Sequence, residues 1–381
     1  MATRKSLFAV FALTAFTLTS SVVFARGDGD QDFPVITHLP STPTTSASTE
    51  IPPSTGDQNP YGVAFVPPGF PAGGPLRAGD VLVSNFNNNS NLQGTGTTIV
   101  SVSPTGQTAI FFKSTNAIGL STALGVLRNG FVIVGNVPST DGSGVCTPGP
   151  QGQEENVGQG SLTVLNRYGK VVKTLSSAKF LNGPWDLTVA DFGNFAQIFV
   201  SNALSGTVTR LDVVVGTGSD ADDFNVVNQT QIASGYTHRC DPAAFVVGPT
   251  GLALNPFTNT LYVASTGDNT IFAIPLASFR ENGSGTGAAF IGNDTHLHGP
   301  LGLAIAPNGD LLSAQGDAVN PDPNHVSEIV EFSPRGQFAA QFSIDPASGS
   351  AFGLAIVPFK GGFRFAAVDD GVNMLDIWNV R

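Results

Sequence analysis

One short motif recurs along this chain, and its recurrence limits the possible folds more than any other feature. Tyr61-Gly62-Val63-Ala64-Phe65-Val66-Pro67 returns as Thr250-Gly251-Leu252-Ala253-Leu254-Asn255-Pro256. It returns again as Leu301-Gly302-Leu303-Ala304-Ile305-Ala306-Pro307 and as Phe352-Gly353-Leu354-Ala355-Ile356-Val357-Pro358. Gly251, Gly302 and Gly353 stand 51 residues apart. Looser copies at Ala123-Leu124-Gly125-Val126-Leu127 and Pro184-Trp185-Asp186-Leu187-Thr188-Val189 bring the count to six units. Within a unit the order is constant. A turn such as Pro307-Asn308-Gly309-Asp310 follows the motif, then a second strand such as Leu261-Tyr262-Val263-Ala264-Ser265. A polar loop leads to a third strand, and a turn such as Ser333-Pro334-Arg335-Gly336 leads to a fourth. Four short strands per unit, six units in succession, predict an all-β, six-bladed β-propeller of four-stranded blades over residues 59–381. The motif's glycine fits the first strand of a blade, where the crowded axis leaves little room for a side chain.

Composition agrees. With 41% hydrophobic and 12% charged residues the chain can bury a large core, and Gly 45 with Pro 26 supplies many turns. The formal charge of −11, without a basic run beyond the N-terminus, argues against nucleic-acid or anionic-membrane partners. Arg4 and Lys5 precede an apolar stretch over residues 7–18, and Val23-Phe24-Ala25 offers the small residues of a cleavage site. Residues 1–25 therefore read as a signal peptide, giving a secreted protein, periplasmic or extracellular, with no membrane span once cleaved. Cys146 and Cys240 are then expected to form a disulfide in an oxidising compartment. Both fall in loops on the same face. A monomer is expected.

The last unit lacks a strand. After segments over 352–357, 363–368 and 374–380 the chain runs out, and an open edge would invite association. The leader, residues 26–58, holds the apolar segment Phe33-Pro34-Val35-Ile36-Thr37-His38-Leu39, followed by a Ser/Thr/Pro-rich linker. Residues 33–39 are expected to close the propeller as the outer strand of the last blade.

The fourth unit, Pro249-Thr250-Gly251-Leu252-Ala253-Leu254 with Asn259-Thr260-Leu261-Tyr262-Val263-Ala264-Ser265-Thr266-Gly267-Asp268-Asn269-Thr270-Ile271, resembles an NHL repeat of the six-bladed propeller superfamily. The resemblance extends over about 320 residues. It implies a scaffold closed by its two termini, with ligands taken at the channel mouth. It specifies no chemistry. The chain is similar overall to gluconolactonase/regucalcin-like and streptogramin-lyase-like propellers, without their catalytic motifs. Where the former carry a metal-binding Glu in a Gly-Glu-Gly-Pro segment, this chain has Asn59-Pro60-Tyr61-Gly62.

In this topology the loops between blades and those joining second to third strands open on one face. His238, His296 and His298 precede first strands there, and His325 lies in the loop over 315–327. Trp185, Asp186, Asn202, Asp317 and Asp369 are the candidate ligand-binding residues on that face. His238, His298 and His325, with a carboxylate from Asp186 or Asp317, are candidate ligands for a divalent metal, zinc or calcium. Turns also require Asn and Asp, and a histidine pair such as His296 and His298 also suits backbone hydrogen bonding. The expected function is a binding or interaction module for a small molecule or an extracellular protein or peptide. The alternative is a metal-assisted hydrolase or lyase at the same mouth.

Overall fold

Short strands, each ended by Gly, Pro or Asn turns, build the molecule. The computed structural model describes residues 33–381 except 117, 151–153, 217–221, 284 and 293, so residues 1–25 lie outside the described residues. Pro34–Arg381 form one unit. Among the described residues there are six four-stranded antiparallel sheets. Blade one is Gln58–Phe65, Val81–Asn87, Thr98–Val102 and Thr108–Lys113; blade two is Leu120–Leu127, Phe131–Asn136, Ser161–Asn166 and Val171–Leu175. Blade three is Pro184–Asp191, Phe195–Asn202, Thr207–Val215 and Phe224–Ser234; blade four is Pro249–Asn255, Thr260–Ser265, Thr270–Ile274 and Ala288–Gly292. Blade five is Pro300–Ile305, Leu311–Gln315, Glu328–Phe332 and Phe338–Ser343. Blade six takes Ala351–Phe359, Gly362–Asp369 and Met374–Val380 from the C-terminal end and a fourth strand from the N-terminal side.

The six first strands touch one another in a closed ring, blade one meeting blade six. The repeat glycines permit this. A Cβ on Gly251 would lie 1.9 Å from the Leu301 carbonyl oxygen, and one on Gly353 would lie 1.9 Å from that of Tyr61. In every blade the pairing of first and second strands slips at the same place, between Pro60 and Val63 in blade one and between Ala351 and Leu354 in blade six. Such bulges free backbone groups from the ladder, and side chains take them up. Ser84 accepts the Gly62 N–H and Ser201 the Asp186 N–H. The core lies between blades. Second strands such as Val81–Asn87 and Phe131–Asn136 are buried along their whole length, while the outer strand Thr108–Lys113 is mostly open to solvent.

A strand from the N-terminal side does close blade six, but the segment expected to do so does not. Thr45–Ser48 pairs antiparallel with Met374–Val380, Ala47 opposite Leu375. Residues 33–39, the expected strand, instead contain a 3-10 turn at Val35–His38. Glu331, fully buried, explains the difference by accepting the N–H groups of Val35 at 2.8 Å and Ile36 at 2.9 Å, which a strand would have offered to a neighbour. Val35 and Ile36 then pack among Phe365 and Trp378. The polar segment taken for a linker supplies the strand because an outer strand needs only one buried side chain here. Ala47 provides it, packing with Val102 of blade one and Leu375 and Ile377 of blade six.

Candidate functional site

In blades one, four, five and six the residue before the repeat glycine lies towards the end of the first strand that faces the channel mouth. In blades one, five and six that residue is Tyr61, Leu301 and Phe352, and the equivalent in blade three is Trp185. All four line a cavity of about 360 Å3. Tyr61 stacks on Phe352 at 4.5 Å between centroids and meets Trp185 edge-on at 5.7 Å. Phe86, from the second strand of blade one, packs against both Tyr61 and Trp185. Around this aromatic floor stand Asn59, Asn87, Asp317 and Asp370. The cavity therefore opens on the face where between-blade loops and second-to-third-strand loops gather.

A hairpin forms one wall. Arg239–Asp241 pairs with Phe245–Val247 in the loop entering blade four, and Asp241 caps its tip by accepting the N–H groups of Ala243 and Ala244. Phe245, in the left-handed region at φ 64° and buried, plugs the hairpin against Phe86. The expected disulfide is present: Cys146 and Cys240 are bonded, with Cα atoms 5.3 Å apart, and fasten the hairpin to the long loop of blade two.

The candidate residues fall into three groups. Trp185 and Asp317 line the cavity. Asp186 instead joins two blades, and Asn202 ties blade three to the loop that enters it. The Asp186 carboxylate accepts the Leu187 N–H at 2.8 Å and the Leu252 N–H of blade four at 2.9 Å. Its burial pushes the carboxyl up to about 8, outweighing those two bonds. Asn202 spends its amide on Phe180, Thr207, Thr209 and Asn182. Asp369 lies beside the cavity residue Asp370. Burial, then the charges of Asp345 and Asp376, push Asp369 up to about 6. Burial, then the charge of Asp369, push Asp370 up to about 7, against the Asn59 amide that donates to it at 2.9 Å.

The three histidines proposed as a metal set do not converge, because each has a nearer carboxylate. His238 faces Glu154 at 3.0 Å, and that hydrogen bond raises its pKa; His325, exposed, faces Asp322 at 2.8 Å with the same effect. His298 is buried and faces Glu328 at 3.2 Å. Its cluster partners are Asp317 and Glu328, the three ligand atoms lying within 4.8 Å of one another. Burial raises the Glu328 carboxyl, with the His298 hydrogen bond opposing.

Sequence reasoning placed Asp370 on this face but missed Tyr61, Phe86, Phe352, Glu328 and the hairpin. The signal for Tyr61 and Phe352 lay in the motif itself, in the large residue preceding its glycine. No comparable pattern marks Glu328, which opens an ordinary buried strand.

No protein-family model matches this chain, and no curated protein matches it. Solved structures do. A gluconolactonase from Xanthomonas campestris aligns over 90% of this chain and 97% of its own, at 14% identity and a TM-score of 0.52. A calcium-binding protein, regucalcin, from Agrobacterium tumefaciens strain C58 aligns over 90% and 97%, at 14% identity and a TM-score of 0.51. At this identity the likeness shows the fold: a six-bladed β-propeller like those of the gluconolactonase and regucalcin structures.

Proposed function

We propose that the protein is a secreted propeller that binds a small molecule in the channel-mouth cavity. The observation that carries this reading is the cavity's make-up. About 360 Å3 of concave space has an aromatic floor of Tyr61, Phe86, Trp185 and Phe352 and a rim of Asn59, Asn87, Asp317 and Asp370. That size and mixture suit a ligand with one apolar face and several hydroxyl or amide groups, rather than a flat protein partner. The Cys146–Cys240 bond supports export, as does the sequence of residues 1–25. N-terminal sequencing of protein recovered outside the cytoplasm should then begin at Arg26.

The test is a thermal-shift screen of glycosides and aryl amides against the purified protein, followed by titration of the hits. Phe352→Ala and Asp370→Asn should each weaken a hit about tenfold or more, as expected for deleting an aromatic or hydrogen-bonding contact. Phe257→Ala, in a turn at the opposite face and 90% exposed, should leave it unchanged. The reverse pattern places the site on the wrong side of the propeller.

A second reading, a metal-assisted hydrolase or lyase at the same mouth, is favoured by one observation. Asp317 belongs both to the cavity wall and to the cluster with His298 and Glu328. Turnover of a hit that disappears on chelation would establish it.

A further inference from the structure

The geometry points to a divalent metal site at the mouth-side end of blade five, with His298, Asp317 and Glu328 as ligands and a first-row cation, zinc above all, as occupant. Three segments bring the ligands to one end of the blade. His298 lies two residues before the first strand, Asp317 two residues after the second, and Glu328 opens the third. All three are buried, at 3%, 8% and 1% exposure.

Each ligand is already oriented by neighbours. The His298 backbone N–H donates to Gln315 at 2.8 Å, and the ring Nε2 stands 2.9 Å from the Thr295 carbonyl oxygen. A carbonyl can only accept, so Nε2 carries the proton and Nδ1 presents a lone pair in the neutral ring. That lone pair faces Glu328 Oε2 at 3.2 Å, two acceptors that need a proton or a cation between them. Asp317 is turned by two backbone donors, Ser327 N–H and Gly349 N–H, both at 2.9 Å to Oδ2. Its other oxygen, Oδ1, has no hydrogen-bond partner, and neither has Glu328 Oε1.

A proton between His298 and Glu328, on either side, would settle the contact with Oε2. It would leave Glu328 Oε1 and Asp317 Oδ1 buried without donors, and one negative charge in the cluster unbalanced. A dication satisfies nitrogen and both carboxylates together and cancels their charge. The outer partners Thr295, Gln315, Ser327 and Gly349 are the kind that fix ligand orientation around a metal. One imidazole with two carboxylates suits zinc and its first-row neighbours better than calcium or magnesium, which favour all-oxygen sets. Asp317 also lines the cavity, which gives the ion a route from solvent and leaves one side for a further ligand.

The site shares Asp317 with the cavity, and zinc uptake and small-molecule binding are read by separate titrations. Chelator-treated full-length protein should take up one equivalent of zinc and melt at a higher temperature with zinc than without it. Calcium at the same concentration should leave the melting temperature unchanged. Asp317→Asn and Glu328→Gln should lower zinc affinity at least about tenfold, since changes to supporting residues alone cost about that much. His325→Ala should retain the site. If the variants do not fold, the wild-type uptake and the zinc-against-calcium shift decide. Absence of uptake at about 0.1 mM zinc, wild-type zinc affinity in both carboxylate variants, or equal protection by calcium would overturn the assignment.

Discussion

Asp186 shows how one residue trades solvation for architecture. Its carboxylate spans blades three and four, and its burial lifts it to about 8, whereas in the unfolded chain it titrates near about 4. Between those values the folded state holds a proton that the unfolded state has lost. This group's contribution to stability is therefore fully present below pH about 4 and is lost as pH rises towards 8. Asp369 and Asp370, lifted to about 6 and about 7, act in the same direction over narrower windows. The melting temperature should consequently fall between pH 5 and pH 8.5, less steeply in Asp186→Asn, which has no proton to lose. Equal slopes in variant and wild type would show that Asp186 does not titrate in that range. The substitution should also lower stability at pH 5, because an amide has one acceptor oxygen for the two backbone donors.

At the scale of elements, the N-terminal segment matters twice. Its 3-10 turn is anchored by Glu331, and its strand, Thr45–Ser48, covers the edge of blade six. Glu331→Ala leaves two N–H groups without their acceptor and should cost roughly 2–4 kcal/mol, seen as a melting temperature lower by several degrees. Deleting residues 26–48 should destabilise more than deleting 26–40, since only the longer deletion removes the strand. Equal melting temperatures for the two deletions would contradict closure by Thr45–Ser48. The hairpin Arg239–Val247 depends in turn on Cys146–Cys240, which closes a separation of 94 residues. Reduction, or Cys240→Ser, should lower stability by roughly 2–4 kcal/mol and weaken any cavity ligand. Thiol titration of the unreduced, denatured protein should find no free group at these positions.

Across the whole molecule, what was legible in the sequence was what repeats. Six copies of one pattern disclosed the blade count, the strand order and the need for a closing strand, because each copy obeys the same steric limit at the axis. What occurs once was harder to read. The closing strand is four residues with one buried side chain, and no periodicity marks it; the more apolar segment beside it is held as a turn by Glu331, 295 residues away from Ile36. The site was legible in part for the same reason. Trp185 and Asp317 lie where the topology places mouth residues, while on the same face Asp186 turns its carboxylate to blade four and Asn202 its amide to its own blade and entry loop. Histidines that gather on one face need not meet, since His238 and His325 each found a carboxylate closer at hand.

For a ligand seated at the channel mouth, the chain carries its own reporter. It has two tryptophans. Trp185 lines the cavity, while Trp378 in blade six packs away from it against Phe365 and against Phe342 of blade five. In Trp378→Phe protein, emission comes from Trp185 alone. Any compound that raises the melting temperature should shift or quench that emission with a dose dependence matching its affinity. A compound that stabilises the protein while leaving Trp185 emission unchanged at saturation would contradict the mouth as the binding site.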